Sequence, residues 1–364
     1  MSILWGIIGL GFLVFFHETG HFIAARIFGV KVNAFSIGMG PVLLHKTIKG
    51  TDYRISLIPL GGYCSMNGEK DFQKAIEENL ETIPAEKDSF YGIHPLKRLL
   101  IAFAGPFANY LFSFLAFTVI ALIGYTYYSA GTRITLSSTI SCAREAGIQD
   151  YDEIVCLDST KVTDFSEIAS YISTKPDQDI VFEVLRNGET KLITVHTMLD
   201  KETGAGLVGI VSDPSSRCKR EYPKHSLAGS LSEGFLKSNE MALTALKSFR
   251  ILFKGVKLTK ALSGPARITS MLGDTVSSSF KTGMHEGIVA TLEFLSLISI
   301  SLFLTNLLPI PVLDGGLILV ALVEWIIRKK IKAKILYYIQ LIGLTLVISI
   351  GAFAIFGDIL YFIR

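Results

Sequence analysis

Four stretches of this chain, at about 3–28, 97–124, 288–327 and 335–362, are apolar over more than the ~20 residues a bilayer core requires. In hydrocarbon every backbone N–H and C=O must be satisfied within its own segment, so such a chain is expected to be a polytopic α-helical membrane protein with four transmembrane helices. Composition agrees. Of the residues, 50% are apolar, 24 are Phe, and the mean hydropathy is +0.46, too apolar for a water-soluble enzyme. The net charge of +3 forms no basic stripe, and nucleic acid is not expected as a partner.

Lys and Arg placement predicts orientation. Arg26, Lys31, Lys97 and Arg98 flank the first connection, and Arg328, Lys329, Lys330, Lys332 and Lys334 lie between the last two spans. Both connections should face the cytoplasm, with the termini and the long 125–287 region on the other side. The four cysteines, Cys64, Cys142, Cys156 and Cys218, contain no C-x-x-C pair and indicate neither a cysteine zinc site nor a disulfide framework. A single bridge among Cys142, Cys156 and Cys218 stays open if that region meets an oxidising compartment.

Inside the first span, 1–28, sits His17-Glu18-Thr19-Gly20-His21. Imidazoles four residues apart share one helix face, at a spacing that suits two nitrogen ligands of a tetrahedral Zn²⁺, and the Glu between them can act as general base. With seven histidines in the chain, an H-E-x-x-H can arise by accident. The segment also lacks the basic start and small-residue cleavage site of a signal peptide, since no Lys or Arg precedes Arg26. Ionisable groups within a membrane-length run are costly and mark function.

A second polar interruption lies in the third stretch, Asn306-Leu307-Leu308-Pro309-Ile310-Pro311-Val312-Leu313-Asp314-Gly315-Gly316, the pattern of a membrane helix broken around a site. Asp314 is the only acid between Glu293 and Glu324, and with His17 and His21 it completes three protein ligands, leaving a fourth position for water. A helix cap is the bland role for Asp314, and His45, His94, His196, His225 or His285 are rivals for the third ligand. Asn306 either orients a ligand, binds substrate backbone or packs.

The remaining segments are predicted as follows. Residues 29–96 begin with period-2 alternation bracketed by Gly38-Met39-Gly40-Pro41 and Pro59-Leu60-Gly61-Gly62-Tyr63, a hairpin able to dip into the membrane or to offer a strand edge to a peptide. They continue as a charged loop over 67–92. Ala104-Gly105-Pro106-Phe107-Ala108-Asn109 in the 97–124 span allows close helix approach and lets Asn109 hydrogen-bond across helices; helix packing accounts for these residues, with a polar contact to the site as the lesser option. Residues 129–213 turn soluble and β-rich, with short strands, a helical 165–172 segment and an Asn187-Gly188 turn. Residues 225–287 read as amphipathic helix, with Ala242, Leu243, Leu246, Phe249, Leu252 and Phe253 at helical spacing and a break at Leu262-Ser263-Gly264-Pro265.

Taken together, these motifs resemble those of the bacterial site-2 proteases, the intramembrane zinc metalloproteases, over nearly the whole chain. The resemblance is carried by His17 to His21, Ser36 to Pro41, Pro59 to Tyr63, Ala104 to Asn109, Ser263 to Pro265 and Asn306 to Gly315. It implies that His17, His21 and Asp314 bind Zn²⁺ and that Glu18 is the catalytic base. Gly38, Met39, Gly40, Pro41, Gly61 and Gly62 would belong to a re-entrant β-hairpin that handles substrate, with Asn306 helping to hold it. The 129–213 segment would be one extracytoplasmic PDZ-like α+β domain, although Asp150-Tyr151 stands where Pro-Gly is common. It further implies a bacterial cytoplasmic membrane location, with lipid around the spans, and single-pass membrane proteins as substrates after a first cut by an upstream protease. Two other classes compete. A membrane di-iron oxygenase needs more clustered histidines, and an inactive PDZ scaffold predicts damage to the motif, of which there is none.

Overall fold

The computed structural model describes residues 2–83, 86–201, 203–252 and 264–363, and divides into two units that we describe separately. The first holds residues 1–122, 226–242 and 264–364. Its helices are α1 (Ser2–Ile27), α2 (Glu69–Glu77), α3 (Pro95–Ile123), then, after the second unit, the start of α6 (Leu227–Leu252), α7 (Pro265–Thr282), α8 (Met284–Asn306), α9 (Asp314–Ile327) and α10 (Ala333–Ile363).

Among the described residues four helices are long and apolar enough to cross a membrane: Ile3–Ile27, Pro95–Ile123, Met284–Asn306 and Ala333–Ile363. The broken third stretch is thus divided unequally. α8 can span alone, whereas α9 has 14 residues, about 21 Å at the helical rise, too short to cross. The break follows from chemistry. Pro309 and Pro311 have no N–H to continue a helical ladder, and Val312 adopts φ 84°, which ends the helix and re-aims the chain before α9 restarts at Asp314.

α1, α3, α7 and α8 pack around Leu13, Phe112, Ala116, Leu272, Val276, Leu295 and Ile298, all buried. Helices α1 and α3 come unusually close at Gly20, where an added Cβ would stand 2.2 Å from the Ala104 carbonyl oxygen. Small residues drive such approaches in lipid because hydrocarbon gives no hydrophobic reward for association. Two polar locks stiffen the bundle. Arg98 at the start of α3 pairs with Glu324 of α9, both buried, and Glu324 also accepts from the Ile331 N–H at 2.8 Å. Asp358 of α10 accepts from the N–H groups of Gly264, Ala266 and Arg267 at 2.9, 3.0 and 3.1 Å, capping α7 from a neighbouring helix. The sequence-predicted helix break falls at this cap, its Leu262-Ser263 half lying outside the described residues.

Two long strands, β1 (Val32–Ile48) and β2 (Thr51–Met66), follow α1 and turn at Lys49-Gly50, both at positive φ. β2 bends around β1: Ala34 lies opposite both Ser65 and Asp52, and Ile37 opposite both Gly62 and Ile55. The hairpin leaves Met39, Val42, Leu43, Leu44, Leu57 and Ile58 exposed. Its foot is buried, where Val30 and Val32 pack with Ala24, Ala25 and Ile101. The charged loop expected over 67–92 contains α2. Its charges obscured an apolar face: Phe72, Ala75 and Ile76 pack with Ile83, Ala333 and Leu336.

The second unit covers residues 123–225 and 243–263. Strands β3 (Tyr125–Ser129), β4 (Ile134–Leu136), β5 (Glu153–Leu157), β6 (Thr160–Lys161), β7 (Asp179–Arg186), β8 (Glu189–His196), β9 (Met198–Leu199), β10 (Gly206–Leu207), β11 (Ile210–Ser212) and β12 (Cys218–Tyr222) alternate with α4 (Cys142–Glu145) and α5 (Phe165–Ser173). A four-stranded antiparallel sheet runs β6-β5-β7-β8, and β3–β12, β4–β11 and β9–β10 form three further pairs. Asn187 and Gly188, both at positive φ, make the tight turn between β7 and β8. The core is Ile134, Ile148, Ile154, Leu157, Ile168, Ile180, Phe182, Val184 and Val195, which makes this a self-contained α+β unit. Cys142 and Cys156 carry free thiols.

Candidate metal centre and its surroundings

α1 brings its two imidazoles to one face, and the chain reversal at Pro309–Leu313 brings Asp314, first residue of α9, against them. His17 Nε2 and His21 Nε2 are 3.2 Å apart, Asp314 Oδ2 is 3.2 Å from His17 Nε2, and Asp314 Oδ1 is 3.3 Å from His21 Nε2. Among the described residues these three form the one group of His, Cys, Asp or Glu donors close enough to share an ion. The spacing fits zinc. Donors about 2.0 Å from a tetrahedral centre lie about 3.3 Å from one another, the edge length seen here.

Each ring is also held from behind. His21, 7% exposed, has Nδ1 at 2.8 Å from the Ile101 carbonyl oxygen of α3. A carbonyl only accepts, so Nδ1 carries the ring proton and Nε2 presents its lone pair to the other two donors. Gly105, one turn further along α3, makes room for this ring: an added Cβ would stand 2.1 Å from His21 Nε2. His17 Nδ1 instead meets the Asn109 side chain, with Nδ2 at 3.1 Å. Of the two roles the sequence leaves to Ala104–Asn109, the structure shows the polar contact to the site as well as packing: Asn109 meets His17 and Gly105 makes room for His21. Only the i, i+4 spacing of Gly105 and Asn109, matching that of His17 and His21, hints at this in the sequence.

Glu18 lies beside the triangle and its carboxylate takes a hydrogen bond from the Cys64 backbone of β2. Both open into a cavity of about 930 Å³. Of the residues predicted to handle substrate, Met39, Gly61, Gly62 and Asn306 line this cavity, while Gly38, Gly40 and Pro41 are not among its lining residues. Tyr337, Gln340 and Leu341 of α10 form another wall, which nothing in the motif pattern indicated. The other histidines stay apart: His45 pairs with Asp52 on the hairpin, and His196 sits between Asp177 and Asp179 in the second unit. An arrangement of two imidazoles, a carboxylate and a second carboxylate beside them, in a largely apolar chamber, has the parts to hold a Lewis acid and to move a proton beside it.

Comparison with known proteins agrees with that chemistry. The model of "Peptidase family M50" matches residues 5–350. A protein of Treponema pallidum is 32% identical over 444 aligned positions, covering 99% of both chains. One of Campylobacter jejuni is 34% identical over 357, covering 96% of this chain and 91% of the relative. One of Helicobacter pylori is 31% identical over 368, covering 96% and 97%. All three bear the name "Putative zinc metalloprotease". A histidine pair and a distant aspartate meeting among apolar helices, and a family match across nearly the full length, lead to one assignment: the chain belongs to peptidase family M50, the site-2 protease family.

Proposed function

We propose that this protein is a zinc endopeptidase that cuts single-span membrane proteins within or beside their transmembrane helix. The observation that carries the reading is the donor triangle of His17, His21 and Asp314 with Glu18 beside it, enclosed in a unit with four membrane-length helices. Zinc held by these three residues would polarise a peptide carbonyl and acidify a water at neutral pH. Glu18 takes the proton from the attacking water and returns it to the leaving amine. The Cys64 backbone contact steadies that carboxylate for both transfers.

A substrate helix hides its carbonyls in internal hydrogen bonds, so it must unwind before attack. The Gly61–Cys64 stretch of β2 lines the cavity and pairs with β1 on one side, so an unwound segment adding to its other side would recover backbone bonds. Asn306, which lines the same cavity, would hold such a segment. The exposed apolar residues of the hairpin support a re-entrant position, immersed in lipid rather than in water. On this reading the second unit is an extracytoplasmic PDZ-like domain that admits substrates already trimmed by an upstream protease. The termini share its side of the bacterial cytoplasmic membrane, as the Lys and Arg distribution supports.

The test is Glu18→Gln in the purified full-length protein with a model single-span substrate. The variant should retain zinc at the wild-type level and lose cleavage by a factor of at least ~10². Undiminished cleavage would remove Glu18 from the reaction, and cuts mapped only to water-soluble segments by mass spectrometry would remove the intramembrane site.

A further inference from the structure

We propose that Asn109 is a positioning residue of the metal centre, accepting a hydrogen bond from His17 Nδ1–H and thereby holding His17 in the tautomer whose Nε2 lone pair faces the ion. This rests on the zinc reading above and extends it to a residue outside the ligand set.

The two imidazoles are supported differently. His21 has a backbone carbonyl behind it, which fixes its tautomer outright. His17 has an amide, and an amide has two unlike ends. Asn109 is fully buried (0% exposed), its Nδ2 lies 3.1 Å from His17 Nδ1, and its Oδ1 has no hydrogen-bond partner among the described residues. With Nδ2 towards the ring, Nδ1 must accept, so the ring proton sits on Nε2. That proton then points into the triangle, on an Nε2 that lies 3.2 Å from Asp314 Oδ2, and occupies the corner an ion would need. With the amide turned end over end, Oδ1 faces the ring, the proton moves to Nδ1, and Nε2 is free to ligate. Either orientation leaves one end of the amide unmatched, so the imidazole decides between them. An ion demands the second.

The backbone is fixed for this task. Ser299 Oγ of α8 donates to the Asn109 carbonyl at 2.9 Å, and the residue sits one helical turn after Gly105, which clears the other ring. Packing alone does not favour an asparagine here. A buried amide with an unsatisfied oxygen costs free energy that leucine, of similar volume, would not.

Zinc affinity of the full-length protein, measured by competition with a chelating dye, separates the possibilities. Asn109→Leu should weaken zinc binding roughly 10- to 100-fold, the range seen when a residue supporting a ligating histidine is lost. Asn109→Asp keeps the acceptor and should bind zinc within about threefold of wild type, whatever its effect on stability. The proposal falls if Asn109→Leu binds zinc as tightly as wild type, or if the Asp and Leu variants lose affinity equally, which is the mark of a packing role. Should Asn109→Leu not fold, Asn109→Ala takes its place with the same expected loss. A wild-type protein that binds no zinc would instead sink the reading beneath, so the two failures are distinct.

Discussion

At the scale of single residues, the metal centre depends as much on what is missing as on what is present. Gly105 leaves vacant the space that His21 fills, and a methyl group there would be 2.1 Å from Nε2, the atom that faces the other donors. Gly105→Ala should raise local helix propensity by about 0.5–1 kcal/mol and still displace the ring, lowering zinc affinity roughly 10-fold or more. Chelator competition on the folded variant checks this, and unchanged affinity would mean that α1 yields instead of the ring. The three donors that the structure brings together were legible in the sequence because the chemistry they suit sets their spacing: two histidines one turn apart, and an acid in a helix break that nothing else required. Gly105 was not, and Asn109 was legible only as the lesser of two options. Their meaning depends on which α1 residues they face, and that register is decided by close packing at Gly20 and Ala104 rather than by any local pattern.

Among the elements, the short helices and their caps organise the space around the long ones. α7 begins at Pro265 with its first N–H groups turned towards Asp358 of α10, so a carboxylate from the last helix serves as a cap for another. Replacing Asp358 by Ala would strand three buried or partly buried N–H donors, with an expected loss of about 1–3 kcal/mol; Asp358→Asn, which keeps one acceptor oxygen, should lose less. Thermal unfolding of the detergent-solubilised protein distinguishes the two, and equal melting of wild type and Asp358→Ala would show the cap to be dispensable. Sequence periodicity found the long elements readily, since apolar runs and strand alternation are local. It overlooked α2, whose Glu and Lys residues dominate its composition while Phe72, Ala75 and Ile76 do the packing. It also grouped α8 and α9 as one broken span, because prolines announce a break but not how the length divides around it.

Over the whole molecule, each unit has its own buried core, and the second should weaken in acid. Burial alone would raise the Asp152 carboxyl, but the two-pronged pairing with Arg186, at 2.7 Å to each oxygen, and the Gln149 N–H hold it below the usual carboxylate value. A carboxyl that titrates lower when folded than when unfolded favours the fold fully above the unfolded value of about 3.9, and this contribution drains away as pH falls through the folded value. Hydrogen exchange across β7 and β8 in the intact protein should therefore quicken as pH falls below about 4, after correction for intrinsic rates. Arg186→Gln should show weaker protection at neutral pH and a flatter acid dependence. Identical profiles would transfer the acid sensitivity to other carboxylates of the unit.

The ligand triangle also has a direction in time. His17 and His21 are synthesised before the whole second unit, whereas Asp314 follows that unit and the reversal at Pro309–Leu313. A nascent chain thus holds two corners of the triangle while the second unit is being made and cannot yet close the third. On the zinc reading, the centre cannot be completed until the second unit has left the ribosome.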